Sequence, residues 1–444
     1  LRRTRDRSSR NDGKVLVVDV TTTIVESSRH RTAALHIGNA DRADAMMRFL
    51  RRQWKVVGAI ALVLAAAAVG TGFTACNERE PEFVLRASIP ASGPSFALAL
   101  YQSVGARMVR GHELSLLDNG SVFDTLVREI GAARSSVHVL MYIWEKGVAS
   151  DRVTAALVER AKNGVACRVL VDAFGSPDFA EHVQPVLTKA GCDVRLFRPS
   201  PSDALARNHR KLVIFDGRVA ITGGFGIRDT WLGDGVHQES WRDSNVRFSG
   251  PAVADAQQAF AENWQEAGGS LLPASTFPHL DASGAAEAAF VPSTGSPALT
   301  RAERLTQVMI AAATKRIWIT NAYFVPSRGI LELLMQKSAR GVDVRILVAG
   351  KKSDSKTSFG FQQAEYDALL AKRIRIWEYQ PSMLHAKTML VDDDLVLIGS
   401  INLEPLSLEK LEEGALVAID DALGSELAPR FIADCTRATE LHLD

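Results

Sequence analysis

A chain of 444 residues, 46% apolar and 23% charged, has the length for two or three domains and enough apolar surface for a core, which excludes a disordered or fibrous protein. Its formal charge of +1 hides a division: the first 55 residues hold 13 Lys/Arg and 6 Asp/Glu of totals of 52 and 51, leaving 39 basic against 45 acidic groups in the body. An acidic body weighs against a nucleic-acid-binding protein, because phosphate contacts carry most of that affinity.

Residues 1–45 are rich in Arg, Thr and Ser and show no sustained apolar period. They read as a disordered tail or as a mis-assigned start, since Met46 and Met47 stand directly ahead of the next segment. Residues 46–76 read as a membrane anchor or signal. Val56–Ala75 is a twenty-residue run without a charge, long enough to cross a bilayer as a helix. Arg48, Arg51, Arg52 and Lys55 precede it, which puts the body on the outer side of a cell membrane. The rival readings are a cleaved signal giving a secreted protein, a lipid anchor at Cys76 in Phe73-Thr74-Ala75-Cys76, and a buried core helix. Residues 77–105 read as a connector.

The body is organised by a duplication. Residues 154–173, TAALVERAKNGVACRVLVDA, align without a gap to residues 331–350, LELLMQKSARGVDVRILVAG. Each reads as a helix ending at Gly164 or Gly341, followed by a buried strand. Another helix and strand precede each copy, and this alternation predicts an α/β sandwich in each half. The halves are expected at 106–272 and 296–444, joined by a Pro-, Ser-, Gly- and Ala-rich linker at 273–295.

The chemistry is carried by a second repeated pattern. His209-Arg-Lys211 is followed by Asp216, and His385-Ala-Lys387 by Asp392, both as H-x-K-x4-D. If each motif is a strand, its His and Lys share one face and its Asp lies on the other. The aspartates then read as turn or supporting groups. Two histidines and two lysines converging between the halves make a phosphoryl-transfer site. One neutral imidazole attacks phosphorus, the other protonates the leaving alkoxide, and the lysines neutralise the non-bridging oxygens. This chemistry calls for no metal and no cofactor. The cysteines, Cys76, Cys167, Cys192 and Cys435, lack zinc-ligand spacing; Cys167 and Cys192 read as small buried thiols, and no disulfide is assigned.

The duplicated motif resembles the phospholipase D superfamily over residues 106–444. Longer stretches resemble its cardiolipin synthase family: RNHRKLVIFDGRVAITGG at 207–224, WRDSNVRFSGPAV at 241–253, NAYFVP at 321–326, EYQPSMLHAKTMLVD at 378–392 and GSINLEPLSL at 399–408. The resemblance implies two α/β/α sandwich halves packed with the active site at their interface, and no cofactor. It implies a phosphohistidine intermediate formed and resolved by His209 and His385, with His209 favoured as nucleophile, and phosphate held by Lys211, Lys387 and Asn402. Asp243 and Glu413 match the family's histidine-orienting carboxylates. The implied substrates are membrane phospholipids: phosphatidylglycerol as donor and acceptor, with phosphatidylethanolamine as a further candidate. Water as acceptor would make the protein a hydrolytic phospholipase D or phosphodiesterase. A nuclease and a catalytically inactive lipid-binding module are the remaining readings.

The sequence departs from the family pattern at Gly226, where an Asn is usual, at Glu404, where an Asp is usual, and at Leu411, where an Asn is usual. The first removes one phosphate ligand and implies a less symmetric site. Tyr142, Trp144, Tyr323 and Phe324 read as core or as lining of a lipid pocket, Trp231-Leu232 as a loop anchor or a membrane contact, and Ser353-Asp354, near Lys351 and Lys352, as a headgroup position or a solvated turn.

Overall fold

The computed structural model describes residues 84–443 except 86–88, 91–92, 204, 238, 297 and 298. The expected tail and anchor, including Cys76, lie outside the described residues. No helix among the described residues is long and apolar enough to cross a membrane.

Apolar runs punctuated by glycine turns form the strands. The first half contributes β1 (Val109–Asp118), β2 (Ser136–Met141), β3 (Ala166–Asp172), β4 (Asp193–Phe197), β5 (Leu212–Phe215), β6 (Val219–Gly223) and β7 (Ser244–Ser249). The second contributes β8 (Ala286–Ser293), β9 (Arg316–Asn321), β10 (Asp343–Ala349), β11 (Arg375–Tyr379), β12 (Thr388–Val391), β13 (Leu395–Gly399), β14 (Glu413–Ile419) and β15 (Ala438–Glu440). They join in one fifteen-stranded mixed sheet, ordered β15-β11-β10-β9-β12-β13-β14-β8-β1-β7-β6-β5-β2-β3-β4. Read outward from the central β1–β8 pair, each half repeats one order, with β2, β3 and β4 parallel as are β9, β10 and β11.

The repeated helices end alike, on Gly164 at φ +82° and Gly341 at φ +88°, a left-handed conformation that glycine adopts without a Cβ penalty. In the second half the sheet separates two cores. Ile317, Ile319, Ile346 and Val348 point into one, and Trp318, Leu347 and Ala349 into the other, as strand alternation requires. Helices close both faces.

Two stretches that read as connectors hold regular structure. Residues 93–104 form helix α1 (Gly93–Val104), whose Phe96, Leu100 and Val104 recur at helical spacing and join the second-half core. The expected linker 273–295 contains β8, a central strand of the sheet. Its Ala286, Ala288, Ala289, Phe290 and Val291 are buried on both faces, so no in–out alternation marks it, and its alanines resemble linker composition.

The cysteine reading is also corrected. Cys167, in β3, and Cys192, just before β4, form a disulfide that closes a separation of 25 residues. Both strands lie side by side in the ladder, a proximity that spacing alone does not reveal. Cys435 is free.

Candidate active site

Both motif segments leave their own half. His209 N–H donates to Glu412 O at 2.8 Å, and Glu412 N–H donates to Arg207 O at 2.9 Å. At the equivalent place Arg242 N–H donates to Met383 O at 2.8 Å, and His385 N–H to Arg242 O at 2.7 Å. Each motif is thus stitched to the chain preceding the other half's orienting carboxylate. The strands proper begin only after the lysines, at Leu212 and Thr388, so His209, Lys211, His385 and Lys387 precede the ladder in which the sequence reading put them. The physical reason is the competing pairing across the interface. Each lysine folds back onto its histidine's carbonyl, Lys211 Nζ to His209 O at 2.6 Å and Lys387 Nζ to His385 O at 2.5 Å.

The carboxylates cross between halves. His209 Nδ1 meets Glu413 Oε1 at 2.8 Å, and His385 Nδ1 meets Asp243 Oδ2 at 3.2 Å. With Nδ1 so engaged, each imidazole is left its Nε2 for chemistry. All six side chains are buried. Glu413 is further held by the hydroxyls of Ser407, at 2.5 Å, and of Ser400. Asp243 is held by the Trp231 indole N–H at 2.8 Å and the Ser244 backbone N–H at 2.8 Å. The sequence reading did not single out Ser400, Ser407 or this role of Trp231. Trp231 is buried, which removes the membrane-contact reading for it.

Aromatic rings wall the site. Tyr142 stands edge-on to His209 at 5.0 Å, and Trp231, Trp241 and Tyr323 surround His385 at 5.2, 5.1 and 6.3 Å. Lys211 Nζ sits 5.1 Å from the Tyr142 ring. Trp144 and Phe324 are core. Ser353 is buried; the exposed Asp354 accepts from the Tyr323 hydroxyl at 2.7 Å.

Burial sets the electrostatics. Desolvation lowers His209 to about 4, against the opposing pull of Glu413. It also carries His385 well below its ordinary value, helped by Lys387 and Lys211. Lys387 falls to about 8 by burial, which Asp243 and Glu413 counter, and burial lowers Lys211 well below its ordinary value. The two carboxylates part company. Burial pushes Asp243 up to about 6, whereas for Glu413 burial is outweighed by its pairing with His209, the nearby Lys211 and the hydrogen bond from Ser400, which together hold it below its usual range.

Asn402 is buried beside this cluster, its N–H bonded to Ser407 Oγ at 2.9 Å, and its Oδ1 has no partner among the described residues. Such a side-chain amide is suited to a polar ligand. Asp216 and Asp392 are not brought into the cluster. Each occupies a turn, at φ +53° and +52°. Asp216 accepts from the N–H groups of Arg134, Ser135 and Ser136, and Asp392 from those of Thr314, Lys315 and Arg316. They pin the entries to β2 and β9.

The family profile described as cardiolipin synthase, PLD-like domain, matches residues 126–264 and 307–435. The chain is 32% identical over 341 residues to cardiolipin synthase 1 of Bacillus cereus, covering 73% of this chain and 67% of that protein. It is 31% identical over 355 residues to cardiolipin synthase A of Pseudomonas aeruginosa, covering 79% and 72%. In fold it resembles the crystal structure of phosphatidylserine synthase from Haemophilus influenzae, with a TM-score of 0.60 over 78% of this chain and 92% of that one, at 14% identity.

Proposed function

Because the chain belongs to the cardiolipin synthase family of phospholipase D-like proteins, we propose that it transfers a phosphatidyl group between phospholipids, converting two phosphatidylglycerol molecules to cardiolipin and glycerol. The observation that carries this reading is the crossed pairing of His209 with Glu413 and His385 with Asp243 around two buried lysines.

In the first step His209 Nε2 bonds to the phosphorus of the donor. The bond from phosphorus to the headgroup glycerol oxygen breaks, and His385 gives its proton to that oxygen, so glycerol leaves. In the second step the glycerol hydroxyl of an acceptor phosphatidylglycerol attacks phosphorus. His385 takes the hydroxyl proton and the phosphorus–nitrogen bond to His209 breaks. Lys211, Lys387 and Asn402 hold the phosphate oxygens. Its low pKa leaves His209 neutral at working pH, as a nucleophile must be, a state that burial gives His385 as well. His385 must be cationic to act as acid, and the bound phosphodiester anion raises it toward that state. Carboxylates favour the charged form of both imidazoles, Glu413 at His209 and Asp354 at His385, so the assignment of His385 as the acid rests on the family resemblance.

In this reading the substrates lie in a bilayer, with the body on the outer side of a cell membrane. The Cys167–Cys192 disulfide supports an oxidising, extracytoplasmic compartment.

The test is to incubate the purified chain in detergent with phosphatidylglycerol, alone and with phosphatidylethanolamine, and to identify products by mass spectrometry. The expected products are cardiolipin and glycerol, formed at least about a thousandfold more slowly by His209→Ala and His385→Ala. Phosphatidic acid as sole product would replace the transferase reading with a hydrolase.

A further inference from the structure

The two motif loops differ at two matched positions. Gly226 and Asn402 each lie 17 residues after their histidine, and Trp231 and Ser407 each lie 22 after it. In the second half Ser407 donates to Glu413 Oε1, the oxygen that also meets His209. In the first half Trp231 donates to Asp243 Oδ2, the oxygen that also meets His385. An indole thus stands where the other half has a hydroxyl, with the same partner chemistry.

The exchange has a steric counterpart. A Cβ on Gly226 would lie 3.0 Å from both Trp231 Cζ3 and Ile143 Cβ, tighter than ordinary contact. Trp231 is fully buried, packed on Trp241 at 4.5 Å and edge-on to His385. The first atom of any side chain at position 226 would press on the indole and on Ile143.

We propose that Trp231 is a positioning residue for His385, acting through the bond from its indole N–H to Asp243, and that its bulk requires glycine at position 226. The inference rests on the phosphatidyl-transfer reading for its kinetic consequences. In the transfer scheme the site therefore holds phosphate with an amide from one half only, and spends the matching volume of the other half on fixing the acid.

The groups that meet Asp243 are His385 and Lys387 from the second motif, Arg242 beside it in the chain, the Ser244 N–H and Trp231 itself. Lys211 and His209 act on His385 across the site, and Asp354 from the rim. Removing the indole N–H takes one donor from the Asp243 carboxylate and leaves the rest. The carboxylate then binds its proton more tightly, and His385 loses charge support.

Trp231→Phe keeps the ring volume and loses the donor. The expected result is a kcat lowered about tenfold at pH 7, the worth of one hydrogen bond to a charged group, with KM within about twofold and the acid limb of the kcat profile moved up by about one pH unit. A purely structural role would lower thermal stability and leave the limb in place.

A second comparison uses Gly226→Asn, Trp231→Ser and the double variant, which copies the second-half pair. The double variant should exceed the product of the single effects by about tenfold, as coupled neighbours do. An unmoved acid limb together with additive effects, in a wild type that makes cardiolipin, would overturn the inference. A wild type that makes none would overturn the phosphatidyl-transfer reading instead. The His385 imidazole titration, followed by nitrogen NMR in wild type and Trp231→Phe, needs no substrate and decides the Asp243 bond in that case: a shifted titration supports it, an unshifted one overturns it.

Discussion

The first half holds its orienting carboxylate with an indole and a backbone N–H, whereas the second holds its own with two hydroxyls and keeps it in contact with His209 at 2.8 Å. The residue before each carboxylate also changes sign. Arg242 is buried against Asp434 at 2.8 Å, while Glu412 is buried between Arg198 at 2.8 Å and Arg210 at 3.2 Å. Two halves with one strand order have therefore built unlike electrostatic shells around like histidines. Duplication preserved the backbone exchange across the interface, and the side chains around it specialised.

That comparison is sharpened most by the carboxylates. At pH 8, Glu413→Gln should lower kcat about a thousandfold and Asp243→Asn about a hundredfold, because the former removes the shorter bond and the more firmly ionised group. Stability should separate them by sign. Asp243 is raised to about 6, so its contribution to folding is complete below the ordinary carboxylate range near 4 and is lost as pH rises through about 6. Asp243→Asn should therefore raise the melting temperature at pH 8 and not at pH 4. Glu413 is lowered, so its contribution is present above its ordinary value and lost in acid, and Glu413→Gln should lower the melting temperature at pH 8. Equal responses to the two substitutions in calorimetry would break the asymmetry.

A smaller effect concerns the supporting layers. In the first half a disulfide ties Cys167 in β3 to Cys192 before β4; the residues at the matching ladder places in the second half are Val344 and Ile374, both buried. Replacing both cysteines by serine should cost about 2–4 kcal/mol in urea unfolding, and a reductant should cost the wild type a similar amount. No change on reduction would mean that apolar packing suffices in both halves.

The smallest difference is expected at the turn aspartates, where the halves are most alike. Asp216→Asn and Asp392→Asn retain a side chain tolerant of positive φ and lose charge-assisted bonds to three consecutive N–H groups. Each should cost about 1–2 kcal/mol of stability, with kcat per folded molecule unchanged. A selective loss of kcat in one of them would break the symmetry where it looks safest.

The repeat and the two H-x-K motifs were legible because both depend on local order: glycine stops, apolar strands and fixed spacing. The crossing of Glu413 to His209 and of Asp243 to His385 was not, since spacing does not say which face of which half a carboxylate meets. β8 was hidden because a strand buried on both faces by alanine carries neither alternation nor bulk. The disulfide depended on β3 and β4 being neighbours. Trp231 was visible as an aromatic in a glycine-containing loop, and only its buried partner, Asp243, distinguishes it from any other loop anchor. The absence of asparagine at 226 was readable from the motif, but its cause lies in an indole five residues on.

The crossed carboxylates bear on how the protein is made. Glu413 follows His209 by 204 residues in the chain, yet it is the carboxylate that meets the His209 ring at 2.8 Å. A chain made only through the first half would carry His209 without the carboxylate that holds its Nδ1. Under the proposed transfer chemistry, the His209 end of the site is therefore complete only once β14, which begins at Glu413, has joined the sheet.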